Sequence, residues 1–150
     1  MITRRHAILV LSLVTLAACA PSLIPGTTIP KTADNEAILD VLRRYKNAFE
    51  ARDAESIAAL ASDRYLDERS STSKDVLANK LKDELARTKD LRLDIQVRRI
   101  DVERDRATVD YFYALAFLVD TTTAEWQRES DEKRMTLVRE QDGWKVLNGF

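Results

Sequence analysis

The chain has 150 residues, of which 24 are basic and 25 acidic, for a net charge of −1. This length can bury one hydrophobic core and leaves no room for two packed domains. Because charges of both signs are interspersed, the composition argues against nucleic acid as a partner.

The first eighteen residues have the organisation of an export signal. Arg4 and Arg5 precede an apolar stretch, residues 7–16. A transmembrane helix needs about 20 such residues, so this stretch is too short to be one. The stretch leads into Leu16-Ala17-Ala18-Cys19, which resembles the lipobox of bacterial lipoproteins. The resemblance implies cleavage before Cys19 and lipidation of its thiol, so that the mature chain is anchored to a membrane. The alternative is an ordinary secretory signal with an incidental cysteine nearby.

The residue after the cysteine bears on the location of this anchor. In the lipoproteins that the chain resembles, an aspartate there favours retention in the cytoplasmic membrane, and here the residue is Ala20. We therefore expect the periplasmic face of the outer membrane, with the outer leaflet of the cytoplasmic membrane as the alternative.

A proline-rich segment separates the predicted anchor from the predicted domain. It contains all three prolines of the chain: Pro21, Pro25 and Pro30. Proline fixes φ and removes a backbone donor, so residues 19–32 are predicted to form an extended tether rather than packed structure. Fully drawn out, it would reach roughly 40 Å at about 3 Å per residue. Residues 33–150 are predicted to form the folded domain.

Three helices are predicted at the start of this domain. Apolar residues recur every three or four positions over residues 38–49 and predict an amphipathic helix that ends near Arg52. Asp53 can cap a second, short helix. Thr72 and Asp75 suit a capping box for a third helix. The third helix presents three leucines on one face: Leu77, Leu81 and Leu85.

Beyond residue 90 the apolar period becomes two, which predicts strands. Alternation over residues 91–97 changes parity at Arg98 and Arg99, which predicts a β-bulge and a bent sheet. A second strand covers residues 109–119, and a hairpin over residues 135–150 turns at Asp142-Gly143. Helices followed by strands predict an α+β fold, with three N-terminal helices packed on a curved antiparallel sheet.

Two segments are informative: residues 45–68, YKNAFEARDAESIAALASDRYLDE, and residues 134–150, RMTLVREQDGWKVLNGF. They resemble the opening and the last hairpin of the nuclear transport factor 2-like superfamily, which includes SnoaL-like and ketosteroid-isomerase-like proteins. The resemblance implies a cone whose helices and bent sheet enclose a pocket that some members use for small molecules. Because members include enzymes, delivery factors and scaffolds, the fold does not select a function.

The residue inventory excludes several kinds of chemistry. His6, the only histidine, would leave with the signal, and the only thiol would be acylated, so catalysis or zinc binding through these groups is excluded. The three glycines are scattered and form no phosphate-binding loop. Asp101, Glu103 and Asp105 have the spacing of a calcium loop but lack its glycine and follow a strand pattern. We predict no metal and no cofactor.

The steroid-isomerase branch of the superfamily pairs a tyrosine on the first helix with a carboxylate base after the second. Tyr45 matches the tyrosine, but Arg69 stands at the position of the base, with Asp67 and Glu68 adjacent. An arginine cannot abstract a proton at neutral pH. A buried position in the core also explains Tyr45.

The leading hypothesis is a non-catalytic, membrane-anchored domain that binds a small apolar ligand or an envelope protein. The alternative is a cofactor-free isomerase or hydratase that uses Tyr45 with one of the two neighbouring carboxylates. The predicted pocket residues are Tyr45, Asp67, Glu68, Tyr113 and Trp126.

Nine uncharged residues, 111–119, give the second strand two apolar faces. One face meets the helices, and the other requires a second cover. Pairing of two sheets in a homodimer would supply it. Alternatively, Trp126 and the loop after Asp120 fold back over this face.

Overall fold

The structure, a computed structural model, describes residues 22–119 and 125–150. Within these residues three helices and a short hairpin precede four strands of one sheet. The elements are, in chain order, α1 (Ala33–Glu50), α2 (Ala54–Ala59), β1 (Leu66–Asp67), β2 (Thr72–Ser73), α3 (Lys74–Leu85), β3 (Thr88–Glu103), β4 (Arg106–Val119), β5 (Trp126–Glu140) and β6 (Gly143–Asn148). The predicted α+β class, with helices first and an antiparallel sheet after them, is confirmed.

The predicted cap of α2 at Asp53 is confirmed, whereas the predicted capping box of α3 is wrong. The backbone N–H of Asn35 donates to the Thr32 hydroxyl at 3.1 Å at the start of α1, and the N–H of Ser56 donates to Asp53 at 3.0 Å at the start of α2. The residue that precedes α3 is Ser73, which makes no side-chain capping bond. Thr72 does not form the predicted capping box, because it is buried in β2 and its hydroxyl interacts with Ser70 at 2.6 Å.

The four-stranded sheet is antiparallel with strand order β3-β4-β5-β6. Its register shifts between Val97 and Arg99, which confirms the predicted bulge. The last hairpin turns one residue earlier than predicted, because Glu140 pairs with Gly143 across the turn. Since β6 pairs only with residues 136–140, residues 126–134 of β5 form an edge of the sheet within the part of the chain that the structure describes.

The core lies between the helices and the concave face of the sheet. α1 packs on β3 and β6, and α2 packs on α3. Alternate residues of β4 point into this core, since side chains of a strand alternate between its faces. The most deeply buried apolar residues are Ile38, Val41, Ile57, Ala61, Val109, Met135, Leu137 and Val146.

Ordered structure begins before α1, which corrects the predicted tether. The N–H of Ile24 donates to Ile29 O at 2.9 Å and the N–H of Lys31 to Ser22 O at 2.7 Å, so that residues 22–31 form a closed turn. Ile29 is only 3% exposed, and the Asn35 amide donates to Pro30 O at 2.8 Å. The prediction of an extended, unpacked segment is therefore wrong for residues 22–32. Prolines are compatible with this turn because only some of its N–H groups are used in hydrogen bonds.

The remaining predictions for the N-terminus concern residues beyond the described part. The signal peptide and Cys19 lie outside it, as do residues 19–21 of the predicted tether. No helix among the residues described is long and apolar enough to cross a membrane.

Gly149 is the residue at which the close packing of the C-terminus can be tested. Its φ is +99°, and a Cβ atom there would lie 2.3 Å from Arg134 O and 2.9 Å from Met135 Cα. We expect Gly149→Ala to lower the free energy of unfolding by at least about 1–3 kcal/mol, since both the backbone conformation and the contact with β5 are unfavourable for alanine. Urea denaturation measures this loss.

Gly26→Ala is the matched control. Gly26 also has a positive φ of +77°, but no atom lies within 4 Å of the point that a Cβ atom would occupy there, so only the backbone cost of about 1–2 kcal/mol applies. Equal losses in the two variants would contradict the close approach of Gly149 to β5.

Candidate functional site

A cavity of about 260 Å³ lies between α1, α3 and the concave face of the sheet. The chain has four tyrosines, and all of them line it: Tyr45, Tyr65, Tyr111 and Tyr113. Its other walls are mostly apolar and come from Phe49, Leu77, Leu81, Leu93, Ile95, Leu115 and Phe150. The cavity is therefore an aromatic pocket with hydroxyl groups on its walls.

Local structure explains why these side chains converge. Tyr45 belongs to the buried stripe of α1, which recurs at helical spacing and faces the sheet. Tyr111 and Tyr113 are two residues apart on β4 and therefore point to the same, concave face. Tyr65 lies between α2 and β1 and is 4% exposed.

The last residue of the chain forms part of the wall. The Phe150 ring stacks on Tyr45 with 5.2 Å between ring centroids and lies 5.4 Å from the ring of Tyr65. The Tyr111 hydroxyl donates to Gly149 O at 3.1 Å and holds the chain next to Phe150. Phe150 was not predicted to line the pocket, although an aromatic residue two positions after the last strand is a signal for it.

Charged side chains surround the open side of the cavity. The Tyr113 hydroxyl donates to the Glu129 carboxylate. The Lys133 ammonium group lies 4.7 Å from the centre of the Tyr113 ring, and that of Lys80 donates to the Thr72 hydroxyl at 3.1 Å. Glu84 also lines this side and is exposed. The interior is thus apolar and aromatic, whereas the entrance is polar.

Asp67 is the carboxylate that could act together with Tyr45. The Ser70 hydroxyl donates to it at 2.5 Å and the Arg69 N–H at 3.0 Å. The hydrogen bond from Ser70 is the main cause that lowers the pKa of Asp67, and burial opposes it only partly. A carboxylate held in its ionised form by neighbouring donors is a weak base at neutral pH.

The four tyrosines are held in their neutral form. Burial is the main cause that raises the pKa of Tyr45 and of Tyr111 above the usual value for phenols. Burial also raises the pKa of Tyr65 to about 12, and burial together with the hydrogen bond to Glu129 raises that of Tyr113 to about 12. Among the described residues no hydrogen-bond partner of the Tyr45 hydroxyl is found, and this leaves a neutral donor at the cavity.

The structure brings together three of the five predicted pocket residues. Tyr45, Asp67 and Tyr113 line the cavity, whereas Glu68 and Trp126 do not. Glu68 lines a neighbouring surface depression, together with Asp67 and Arg69. Trp126 begins β5, pairs with Leu118 and is 40% exposed. The prediction that Glu68 and Trp126 line this pocket is therefore wrong.

The outer face of β4 is covered in part by side chains of the neighbouring strand. The Arg98 guanidinium lies 5.8 Å from the Phe112 ring centre, and that of Arg92 lies 4.9 Å from the Trp126 ring. Because Arg92 lies on β3 and Trp126 on β5, their side chains meet over β4 between them, so Trp126 covers part of this face. The loop after Asp120 lies outside the described residues, and the sheet-face dimer stays a prediction.

Two of the three acidic residues with calcium-loop spacing are paired with arginines. Asp101 lies 2.6 Å from Arg99, and Asp105 lies 3.8 Å from Arg139. In the described ranges no group of three or more His, Cys, Asp or Glu side chains is placed to hold a metal ion.

Comparison with known families agrees with this architecture. A family model described as the SnoaL-like domain matches residues 30–148. The chain belongs to this family. The SnoaL-like domain therefore covers the helices, the sheet and the cavity. No curated protein matches the chain significantly.

Solved structures share the nuclear transport factor 2-like fold of this SnoaL-like domain. A conserved protein from Planctomyces limnophilus has a TM-score of 0.70 at 16% identity, over 79% of this chain and 94% of the other. A proposed dehydratase of the NTF2-like family from Streptomyces avermitilis has a TM-score of 0.68 at 14% identity, over 77% and 93%. A proposed scytalone dehydratase from Novosphingobium aromaticivorans has 0.68 at 15%, over 77% and 80%. At these identities the likeness shows the fold alone.

The raised pKa values of the four tyrosines lead to a prediction about the protein at alkaline pH. Because their folded pKa values are raised, folding favours the protonated phenols, and this contribution to stability is lost as pH rises above the unfolded value of about 10. We expect ultraviolet absorbance of the native protein to show no phenolate near pH 10, whereas the urea-denatured chain ionises there. Phenolate formation by the native protein at pH 10 would show that the cavity is open to water.

Proposed function

We propose that the protein is a lipid-anchored component of the bacterial envelope whose SnoaL-like domain binds a small aromatic or apolar molecule without converting it. The observation that carries the ligand proposal is the tyrosine-lined cavity. The resemblance of residues 16–19 to a lipobox carries the proposal of an anchor. The proposed location is the periplasmic face of the outer membrane.

The size and lining of the cavity indicate the class of ligand. Its volume of about 260 Å³ is larger than a cavity of about 150 Å³ that holds benzene, and lies just below the about 300–1,000 Å³ of most ligand pockets. One or two rings fit such a space. Aromatic walls favour offset or tilted ring stacking, and the neutral Tyr45 hydroxyl can donate to one oxygen of the ligand.

The electrostatics favour binding over catalysis. Proton abstraction requires a base whose pKa lies near the working pH. Hydrogen bonds hold the pKa of Asp67 low, and Glu68 lies outside the cavity. Arg69 stands where the steroid-isomerase branch has its base and also lies outside.

A pair of substitutions on adjacent residues of β4 tests the ligand proposal. Leu115 lines the cavity, whereas Ala116 points to the outer face. We expect Leu115→Trp to fill the cavity and to remove a ligand that copurifies with the protein, while Ala116→Trp retains it. Native mass spectrometry and mass spectrometry of an organic extract measure the bound molecule.

Circular dichroism and thermal unfolding of both variants check that each is folded. Equal amounts of ligand in two folded variants would exclude this cavity as the binding site. Absence of any copurifying molecule, together with no binding of one-ring or two-ring aromatic probes, would also refute the proposal.

Cys19→Ser tests the anchor. The hydroxyl cannot take the place of the thiol in lipidation, so this variant should move from the membrane fraction to the soluble fraction and fail to incorporate labelled palmitate. A substitution of Ser22, such as Ser22→Ala, is the control and should leave the membrane fraction unchanged. Membrane association of Cys19→Ser equal to that of the unaltered chain would exclude the lipid anchor.

A second candidate function is a cofactor-free dehydratase or isomerase. It is favoured by the presence of Tyr45 and Asp67 in one cavity and by the fold shared with proteins described as proposed dehydratases. Turnover of a hydroxylated ring compound that both Tyr45→Phe and Asp67→Asn abolish would favour this function. Binding of the same compound without turnover would favour the first proposal.

A further inference from the structure

The ordered turn before α1 leaves little free chain between the domain and the proposed lipid anchor. Residues 22–31 are closed by backbone hydrogen bonds and Ile29 is buried, so this segment cannot extend without losing these contacts. Cys19 precedes Ser22 by three residues, which span at most about 10 Å even when fully extended. If Cys19 carries lipid, as the proposed function states, the turn must lie close to the lipid surface.

The turn lies at one end of the domain. The Lys31 N–H, two residues before α1, donates to Ser22 O. The first turn of α1 contacts the β5–β6 hairpin through an Arg139–Asp34 ion pair of 2.7 Å. Arg139 also contacts the β3–β4 turn, since its N–H donates to Asp105 O at 2.8 Å. The start of α1 and two of the strand turns therefore form a single end, which we call the anchor end.

The cavity lies toward the other end, because two of its lining residues are far from the anchor end. Along α1, Phe49 lies 15 residues beyond Asp34, or about 22 Å at 1.5 Å per residue. Along β4, Leu115 lies nine residues beyond Arg106, or about 30 Å at 3.3 Å per residue. The exposed residue Glu129 pairs with Leu115 and lines the cavity there.

An exposed apolar side chain occurs on the turn itself. Leu23 is 50% exposed and is one of four large hydrophobic residues that are exposed in the ranges that the structure describes. At a lipid surface its side chain can enter the interface, where burial of apolar area is favourable.

We propose that the turn of residues 22–31 is the face that contacts the lipid surface, and that the cavity consequently opens away from this surface toward the aqueous side. The partner of this face is a lipid bilayer. The cavity then receives its ligand from the aqueous compartment or from a protein in it, and not directly from the bilayer that holds the anchor. This inference rests on the proposed lipid anchor.

Fluorescence quenching in vesicles tests the orientation with the full lipidated chain. Because lipidation blocks the thiol of Cys19, a cysteine introduced elsewhere is the only reactive thiol. Thr28→Cys places the fluorophore on the turn, and Ser130→Cys places it on the exposed surface near the far end of β5. The vesicles contain phosphatidylcholine and phosphatidylglycerol, with a nitroxide quencher attached near the lipid headgroup.

We expect several-fold stronger quenching at residue 28 than at residue 130. Equal quenching at both positions, or stronger quenching at residue 130, would overturn the proposed orientation while leaving the anchor intact. Flotation with the vesicles is measured on the same samples. If the unaltered chain fails to float, the anchor itself is refuted, and the orientation with it.

A longer tether provides the matched control. Insertion of ten Gly and Ser residues between Pro21 and Ser22 keeps the anchor and the fold but removes the distance limit. Quenching at residue 28 should fall toward the level at residue 130, and flotation should persist. Unchanged quenching at residue 28 would refute the argument that the short chain sets the orientation.

Discussion

The alternation of side chains along β4 is the constraint on which both the core and the cavity depend. A strand directs every second residue to the same face, and on β4 the concave face carries Ala107 and Val109 near one end and Tyr111 and Tyr113 farther along. Small aliphatic residues pack completely against the helices. A tyrosine carries a hydroxyl that requires a partner or contact with water. β4 therefore lines a dry core at one end and an aromatic cavity with hydroxyl groups farther along.

The chain itself satisfies some of these hydroxyls and thereby determines what the cavity can do. Tyr111 is bonded to Gly149 O and Tyr113 to Glu129, so both are occupied. Burial keeps Tyr45 neutral, and no partner for its hydroxyl is found in the described part of the chain. A neutral donor among aromatic rings can bind an oxygen and stack on a ring, but it cannot remove a proton. The same arrangement supports the proposed ligand site, whereas Tyr45 itself cannot serve as a base.

The sequence predicted the features that depend on apolar periodicity. The stripe that contains Tyr45 and the change of parity at Arg98 and Arg99 were both readable, because burial on one face dictates them. The first half of β5 was not predicted as a strand, since residues 126–134 alternate no apolar side chains and are held by backbone pairing with β4. That is also why Trp126 was misplaced. The turn before α1 was missed because a single buried residue, Ile29, and local hydrogen bonds hold it.

The missed turn has the larger consequence for function. A free segment of fourteen residues would let the domain rotate and would leave the direction of its cavity undefined. Folding of residues 22–31 removes most of that freedom, because the hydrogen bond from Asn35 to Pro30 and the burial of Ile29 join the segment to the domain. If Cys19 carries the proposed lipid anchor, the attachment point and the cavity belong to one rigid unit, and the direction of the cavity relative to the membrane is fixed. An apolar ligand that partitions into lipid would then need a carrier or a protein partner to reach the entrance from the aqueous side.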